Sequence, residues 1–283
     1  MTAAFPSLSL RAGDTEAAIA PHRGAIVTSF RVAGRELLYL DETTFNDASK
    51  NVRGGIPVLF PSPGKLDEDR FNCAGKAGDL TQHGFARTLA WDVEAVTAAS
   101  ATLSLRSNDA TVRMYPWSFA AQLTYRLAPS ELHIEFEVTN ESAAPMPFAF
   151  GLHPYFAVHD KSAARIPTRA TRAFDNVTKT IVPFAGFDLT RPEVDLHLLD
   201  HGATRGVLEL GDRSAIVIDT SAEFIRWVVW TVAGKDYVCL EPWTAPGNAL
   251  NTGEGLLIVE PHARHTLWTT LSLTPSREAR GLR

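Results

Sequence analysis

The chain has 283 residues, of which 45% are hydrophobic and 21% are charged, a composition typical of a globular protein and not of a disordered one. Its 27 Lys and Arg residues against 32 Asp and Glu residues give a formal net charge of −5, and no long basic run favours nucleic-acid binding. No apolar run approaches the roughly 18 residues of a membrane-spanning helix, so no membrane partner is expected.

Predicted strands run through the whole chain, with clusters of turn-forming residues between them. In chain order, we predict strands at 24–32, 36–40, 101–106, 215–219, 224–231, 237–240, 255–259 and 265–273. The pattern allows at most a short helix after residue 53 or around 195–199, and no repeat of fixed period occurs.

The clearest pattern lies at 117–140. Apolar and polar side chains alternate at 121–127 and again at 132–138, on either side of a turn at 128–130. Two such runs joined by a short turn predict a β-hairpin with one buried face. Many similar strands with little helix predict an all-β protein, either a large sandwich or a barrel. We expect one domain over residues 1–283, ending in a loose polar tail at 276–283.

The two cysteines are Cys73 and Cys239, and neither has a CxxC partner. Two lone thiols suit a reducing compartment, and the first residues lack the basic and apolar segments of a signal peptide. We therefore predict a cytoplasmic protein whose two thiols are free. By strand alternation, Cys239 is expected to point to the same side as Glu241, two residues further on.

The segment FGLHPYF, residues 150–156, sets one histidine among aromatic residues. His153 precedes Pro154, which favours an extended backbone at the histidine. An imidazole held there can act as a general acid or base near neutral pH. The alternative interpretation is a core histidine hydrogen-bonded to a backbone carbonyl.

In YVCLEPW, residues 237–243, an apolar strand runs directly into Glu241. Pro242 is expected to end the strand ladder, because it has no N–H to donate. A carboxyl group at the end of a buried strand is costly unless it is paired or used, and desolvation raises its pKa towards the range of a general base. The alternative is a glutamate at the rim, solvated or paired with an arginine.

Two further segments, TQHGFAR at 81–87 and NVRGGIPVLFPSPG at 51–64, carry ligand-binding side chains beside glycines. His83 precedes a glycine that allows a close backbone approach, and Arg87 and Arg53 offer donors for hydroxyls, carboxylates or phosphate. The alternatives are a turn histidine, a surface arginine and a rigid connecting loop. No HxH, HExxH or CxxC spacing supports a metal site, and no P-loop or GxSxG motif occurs.

Taken in order, RGGIPVLFP, QHGFAR, GLHPYF and LEPW resemble the aldose 1-epimerase (galactose mutarotase) family, which includes the hexose-6-phosphate 1-epimerases. The resemblance extends from about Ala17 to Leu273. It implies a large antiparallel β-sandwich of the galactose mutarotase type. It also implies a cofactor-free isomerase for a small sugar or sugar phosphate, acting as a monomer or weak homodimer.

The resemblance also implies residue roles. His153 matches the general acid that protonates the ring oxygen, and Glu241 matches the general base that takes the proton of the C1 hydroxyl. We expect these two side chains to face each other across one pocket. The positions that match sugar-contacting residues of the family are His83, Arg53, Arg87 and Asp195. Motif adjacency alone adds the aromatic residues Trp243, Phe60 and Phe85.

The substrate stays open at this point. After FP, phosphate-epimerase sequences tend to carry an aromatic residue, where this chain has Ser62, and free-sugar epimerases tend to carry Pro-Asp where this chain has Pro246-Gly247. We favour a broad aldose 1-epimerase assignment with an aldohexose as substrate, and hexose 6-phosphate is the close alternative. Two other classes remain: a noncatalytic carbohydrate-binding protein, and a glycosidase or lyase with Glu241 and Asp195 as its carboxyl pair.

Overall fold

The computed structural model describes residues 5–275, so the predicted tail at 276–283 lies outside the described residues. The strands are β1 (Leu8–Ala12), β2 (Thr15–Ala20), β3 (Ile26–Val32), β4 (Arg35–Glu36), β5 (Val58–Leu59), β6 (Arg70–Cys73), β7 (Lys76–Asp79), β8 (Asp92–Val96), β9 (Ser100–Arg106), β10 (Phe119–Ala128), β11 (Glu131–Asn140), β12 (Met146–Phe148), β13 (Gly151–Leu152), β14 (Tyr155–Ala157), β15 (Arg172–Asp175), β16 (Thr180–Pro183), β17 (Glu193–Leu198), β18 (Arg205–Glu209), β19 (Ser214–Thr220), β20 (Arg226–Val232), β21 (Tyr237–Trp243), β22 (Leu257–Val259) and β23 (Arg264–Pro275). The short helices are α1 (Glu42–Asn46), α2 (Asp109–Met114) and α3 (Ala249–Thr252), with 3₁₀ turns at Pro21–Arg23 and Asp67–Asp69.

Two large antiparallel sheets dominate the fold. The seven-stranded sheet has the order β18-β19-β23-β11-β10-β9-β8. The eight-stranded sheet has the order β16-β15-β17-β20-β21-β13-β5, and β14 also pairs with β21. Smaller sheets are formed by β1 to β4, by β6 with β7 and by β12 with β22. This arrangement confirms the predicted all-β antiparallel sandwich with very little helix.

The predicted hairpin is confirmed as β10 and β11, paired along their whole length with Leu123 opposite Phe136. Both strands alternate buried and more exposed residues over most of their length, as a sheet with one face on the core requires. The same buried core includes residues from the eight-stranded sheet, among them Leu196, Val229 and Leu240. The two large sheets therefore share one hydrophobic core.

Strands β17, β20 and β21 have chemically different faces. Their core-facing side chains alternate with side chains that point away from the core, such as Asp195 next to Leu196, and Glu241 next to Leu240. The outer face of the eight-stranded sheet therefore carries the polar residues that the sequence motifs contain.

One local prediction was wrong, and the structure settles the two places where a short helix was possible. Residues 195–198 belong to strand β17, and the first helical turn after residue 53 is the 3₁₀ turn Asp67–Asp69. Pro242 does not end the ladder, because β21 continues to Trp243. On its other side the proline still pairs with Trp227 of β20, so the strand continues through it. Among residues 5–275, no helix is long and apolar enough to span a membrane.

Candidate active site

A cavity of about 290 Å³ opens on the outer face of the eight-stranded sheet. Its wall is formed by residues of β17, β20 and β21 together with the loops that contain the sequence motifs. Seven of the nine residues predicted for the site line this one cavity, namely His153, Glu241, His83, Arg53, Arg87, Asp195 and Trp243.

His153 and Glu241 are in direct contact at the floor of the cavity. Nε2 of His153 lies 3.4 Å from Oε1 of Glu241, and the indole N–H of Trp243 donates to the other carboxyl oxygen at 3.1 Å. His153 is 7% exposed and Glu241 1% exposed. The expectation that they face each other across the pocket was wrong, because 3.4 Å leaves no space for a sugar edge between them. They lie side by side.

The local chain geometry explains how His153 reaches this position. Its backbone N–H donates to the carbonyl of Pro57 at 3.0 Å, in the gap between β13 and β14. The imidazole stacks on the ring of Tyr155, with 4.7 Å between centroids and 12° between planes, and meets Trp230 edge-on at 5.9 Å. Aromatic packing therefore restricts the ring orientation and leaves Nε2 directed at the carboxyl group.

The electrostatic environment favours the uncharged forms of both groups. Burial lowers the pKa of His153 well below its usual value, and the neighbouring His83 and Arg87 lower it further. Burial raises the pKa of Glu241 well above its usual value, with a contribution from the Asp195 carboxylate, against the opposing effect of the Trp243 hydrogen bond. Without substrate, the proton of the pair thus lies on the carboxyl group of Glu241, His153 is neutral, and the pair has no net charge.

His83 is held in a left-handed backbone conformation, with φ of 74°. Its Nδ1 contacts the carbonyl oxygen of Pro63, so Nδ1 carries the hydrogen and Nε2 is left as an acceptor. Burial, with the charge of Arg87 adding, lowers the pKa of His83 to about 3, so the ring is neutral. Its centroid lies 5.5 Å from that of His153.

The two arginines lie on the cavity wall without a carboxylate partner. No ion pair involving Arg53 or Arg87 occurs among the residues that the structure describes. Arg53 sits over the ring of Trp230, 5.3 Å from its centroid. Burial lowers the pKa of Arg87 to about 10, and its buried Nε has no hydrogen-bond partner within residues 5–275. Both guanidinium groups therefore have unused donor capacity at the cavity.

Asp195 is positioned by two neighbours, both of which line the cavity. Nδ2 of Asn176 donates to Oδ2 of Asp195 at 2.7 Å, and Nε2 of His197 lies 3.3 Å from Oδ1. Sequence reasoning did not select Asn176, His197 or Trp230. The spacing of Asp195 and His197, two apart on one strand, contained the signal for His197, whereas nothing local indicated Asn176.

Phe60 and Phe85 do not line the cavity, so their predicted contact with a sugar ring was wrong. Both are buried in the core, where their rings meet edge-to-face at 6.0 Å. An aromatic residue within a functional motif can serve either to bind a ligand or to fill the core, and Phe60 and Phe85 fill the core. Trp243 and Trp230 supply the aromatic surface of the cavity instead.

One set of side chains in the described range has metal-binding geometry. A donor atom of His153, the thiol of Cys239 and a carboxyl oxygen of Glu241 all lie within 4.8 Å of one another. Cys239 is fully buried behind the pair, on the predicted side of its strand, and burial raises the pKa of its thiol well above the usual value. A divalent ion there would have to displace protons from both the thiol and the carboxyl group.

The structure thus combines an antiparallel β-sandwich with a histidine–carboxyl pair in a cavity on the outer face of one sheet, which is the class of protein that the resemblance of the motifs implies. The sequence profile of the aldose 1-epimerase family matches residues 6–272, so the chain belongs to the aldose 1-epimerase family. That family acts on sugar substrates.

Solved structures and curated sequences agree with this assignment. The chain is 38% identical to the Slr1438 protein of Synechocystis, with a TM-score of 0.92 over 95% of this chain and 96% of that one. A galactose mutarotase-like protein of Lactobacillus casei, 21% identical with a TM-score of 0.78 over 95% and 100%, shares the fold. A Cenchrus ciliaris protein named "Putative glucose-6-phosphate 1-epimerase" is 26% identical over 91% of this chain and 77% of its own length.

Proposed function

We propose that the protein is an aldose 1-epimerase that interconverts the α and β anomers of an aldohexose. The observation that carries this proposal is the buried contact between Nε2 of His153 and Oε1 of Glu241, 3.4 Å apart at the floor of a cavity. A carbohydrate-binding site does not need two uncharged, adjacent proton-transfer groups, whereas opening a hemiacetal does.

The reaction needs one proton removed from O1 and one added to O5, and these two oxygens are bonded to the same carbon. Acid and base groups that lie side by side can therefore reach both oxygens at once. The proton of the pair first moves from Glu241 to His153 across their contact. Glu241 then takes the proton of the C1 hydroxyl while His153 delivers its proton to O5, which returns both groups to their uncharged forms. The open aldehyde rotates about C1–C2, and reclosure runs the transfers in reverse. The pair starts and ends with one proton, and no cofactor takes part.

The remaining cavity residues bind and orient the sugar. His83 presents Nε2 as an acceptor for a hydroxyl group, because its Nδ1 is engaged by Pro63. Asp195 accepts hydroxyl hydrogen bonds with the carboxylate geometry that Asn176 supports. Trp243 offers an apolar face while its N–H holds Glu241 in place.

Hexose 6-phosphate is the second candidate substrate, and the unpaired arginines favour it. Arg53 and Arg87 both face the cavity without a carboxylate partner among residues 5–275, which suits a phosphate dianion as well as sugar hydroxyls. The name of the Cenchrus ciliaris relative points the same way.

The test is an NMR exchange measurement of anomer interconversion on glucose, galactose and glucose 6-phosphate in parallel. Enzyme-dependent exchange on any of the three supports the epimerase. Binding of a sugar without faster exchange would instead assign the protein to the noncatalytic class, and release of a reducing sugar from an oligosaccharide would assign it to the glycosidases.

The same measurement decides between the two substrates through Arg87→Ala. If phosphate is anchored by the arginines, the variant should lose about tenfold or more in kcat/KM on glucose 6-phosphate and far less on the free sugars, because a charge-assisted contact is removed. Added salt should erode the same preference. Equal rates on all three substrates, unchanged by the substitution, would remove the phosphate candidate.

A further inference from the structure

The 3₁₀ turn Pro21–Arg23 ends in a buried arginine that is not part of the cavity wall. Arg23 is 4% exposed, and its guanidinium lies 5.1 Å from the centroid of the Phe5 ring. Within residues 5–275 it takes part in no ion pair. Because a buried charge is costly unless its donors are satisfied, hydrogen bonds must compensate it.

Five backbone carbonyl groups surround the Arg23 guanidinium. They belong to the end of helix α1 and the segment after it, at Thr44 (3.0 Å), Phe45 (3.2 Å), Asp47 (2.7 Å), Ala48 (3.5 Å) and Lys50 (2.7 Å). The last carbonyl groups of a helix have no partner within the helix, and a guanidinium offers five donors in a fixed geometry. This one side chain therefore holds residues 44–50 in place.

Residues 44–50 lead directly into the cavity wall, which residues 51–53 help to form. Thr44 contacts both Arg23 and Arg53. Its carbonyl accepts from Arg23, and its hydroxyl oxygen accepts from the backbone N–H of Arg53 at 2.9 Å. A shift of residues 44–50 would therefore move Arg53 at the cavity.

The residue after Arg23 packs against the loop that carries Arg87. The N–H of Gly24 donates to the carbonyl of Leu89 at 3.0 Å, and a Cβ on Gly24 would overlap the carbonyl oxygen of Arg87. Arg23, Val52 and Arg87 also line one narrow gap. The turn at 21–24 thus lies between the two loops that supply the arginines of the cavity.

The histidine–carboxyl pair is held by other contacts. The N–H of His153 donates to the carbonyl of Pro57, and the preceding Ile56 forms a bridge with Val27. Glu241 belongs to strand β21, which pairs with β20. A displacement of the two arginine loops should therefore affect binding more than proton transfer.

We propose that Arg23 is a positioning residue that sets the places of Arg53 and Arg87 in the cavity, and through them the affinity for substrate. The proposal rests on the proposed function for the ligand, a sugar or sugar phosphate. Because Arg23 lies outside the cavity wall, its loss should raise KM and leave kcat and the pH profile nearly unchanged. A role in stability alone would instead lower the amount of active protein, and hence the apparent kcat, at constant KM.

The first test compares Arg23→Met with Arg205→Met by NMR exchange on glucose and glucose 6-phosphate. Arg205 is a half-buried arginine of the seven-stranded sheet that pairs with Asp219 and does not line the cavity. Arg23→Met should raise KM about tenfold on the better substrate, because charge-assisted contacts are displaced. Arg205→Met should leave KM unchanged. An unchanged KM in Arg23→Met, or a loss confined to kcat, would overturn the proposal.

The second test needs no turnover and uses the fluorescence of Trp230. Arg53 lies over this ring, 5.3 Å from its centroid, so the emission of Trp230 depends on where Arg53 is. The difference between spectra of proteins with and without Trp230→Phe, recorded without substrate, isolates that emission. Arg23→Met should change it in the same direction as Arg53→Ala, whereas Arg205→Met should not.

An unchanged Trp230 signal in Arg23→Met would show that Arg53 has not moved, and the proposal would then be wrong. If no sugar shows faster anomer exchange, the proposed function fails while the Trp230 signal still tests Arg23. The two failures are therefore distinguishable.

Two milder changes keep the test decisive if Arg23→Met does not fold. Thr44→Val removes the hydroxyl that accepts from Arg53 and leaves the carbonyl groups that Arg23 binds. Arg23→Lys keeps the charge but has three donors in place of five. Both should give smaller changes of KM and of the Trp230 signal in the same direction, and the absence of any change in both would overturn the proposal.

Discussion

At the scale of single residues, the proposed chemistry depends on the two groups that meet 3.4 Å apart, His153 and Glu241. We expect His153→Asn and Glu241→Gln each to lower the anomer exchange rate by about 10²–10⁴-fold, because each removes one proton-transfer partner. The double variant should be little slower than either single variant, since the two groups act as a unit. Polarimetry on freshly dissolved α-glucose or α-galactose measures all three.

The matched controls are His159→Asn and Glu131→Gln, which change the same groups at exposed positions away from the cavity. Both should retain the wild-type rate. A near-wild-type rate in His153→Asn or Glu241→Gln, with the fold intact by circular dichroism, would exclude that residue from proton transfer.

The opposed pKa shifts of the pair predict the pH dependence. The active form carries one proton on the pair, and activity ends when His153 is also protonated or when that proton is lost. Because the His153 pKa is lowered, the acid limb should fall well below pH 6.5, and because the Glu241 pKa is raised, the alkaline limb should lie well above pH 4.5.

The resulting expectation is a kcat/KM profile without an acid limb near pH 6.5, measured after subtraction of the uncatalysed reaction. In Glu241→Gln, whatever rate remains should lose the alkaline limb assigned to the carboxyl group. A wild-type profile that instead declines through pH 6.5 would show that His153 titrates as an ordinary solvated imidazole.

At the scale of elements, the loop from Gln82 to Arg87 is held against the strand region before it. Gly84 has φ of 68° and forms a bridge with Phe60, whose carbonyl oxygen would lie 2.2 Å from a Cβ on the glycine. Gly84→Ala should therefore both strain the backbone and displace the loop. We expect a loss of several kcal/mol in unfolding free energy and reduced activity through His83.

Gly34→Ala separates the two causes. Gly34 has a similar φ of 79°, but nothing lies within 4 Å of the position of an added Cβ. In this variant the backbone strain alone should lower the unfolding free energy, by about 1 kcal/mol. Urea denaturation of both variants measures the difference. Equal destabilisation of the two would show that the contact with Phe60 is not limiting.

How well each strand could be predicted from the sequence depends on the environments of its two faces. The hairpin at 117–140 lies between core and exterior, so its alternation is visible in the sequence and the prediction was right. Strand β17 has Val194 and Leu196 in the core but a polar cavity on its other side that also contains the buried His197. Its pattern of burial is irregular, so the sequence predicted no strand there and left a short helix at 195–199 possible.

At the scale of the whole molecule, the two thiols lie in different sheets. Cys73 is part of the β6–β7 pair and Cys239 is fully buried in the eight-stranded sheet, and both are free in the structure. Thiol titration of the denatured protein without reductant should find two free thiols per chain. In the native protein Cys73 should react first, because Cys239 becomes accessible only when the sheet opens. A titration that finds no thiols would indicate a disulfide instead.

The sequence by itself determined the all-β class, the best hairpin and the cavity residues contained in ordered motifs, because alternation and motif spacing are properties of the chain. Only the tertiary structure decided that His153 and Glu241 lie side by side, that Phe60 and Phe85 belong to the core, and that Trp230 lines the cavity. These facts depend on strand register, which sets partners far apart in sequence against each other and is fixed by packing across the whole sheet.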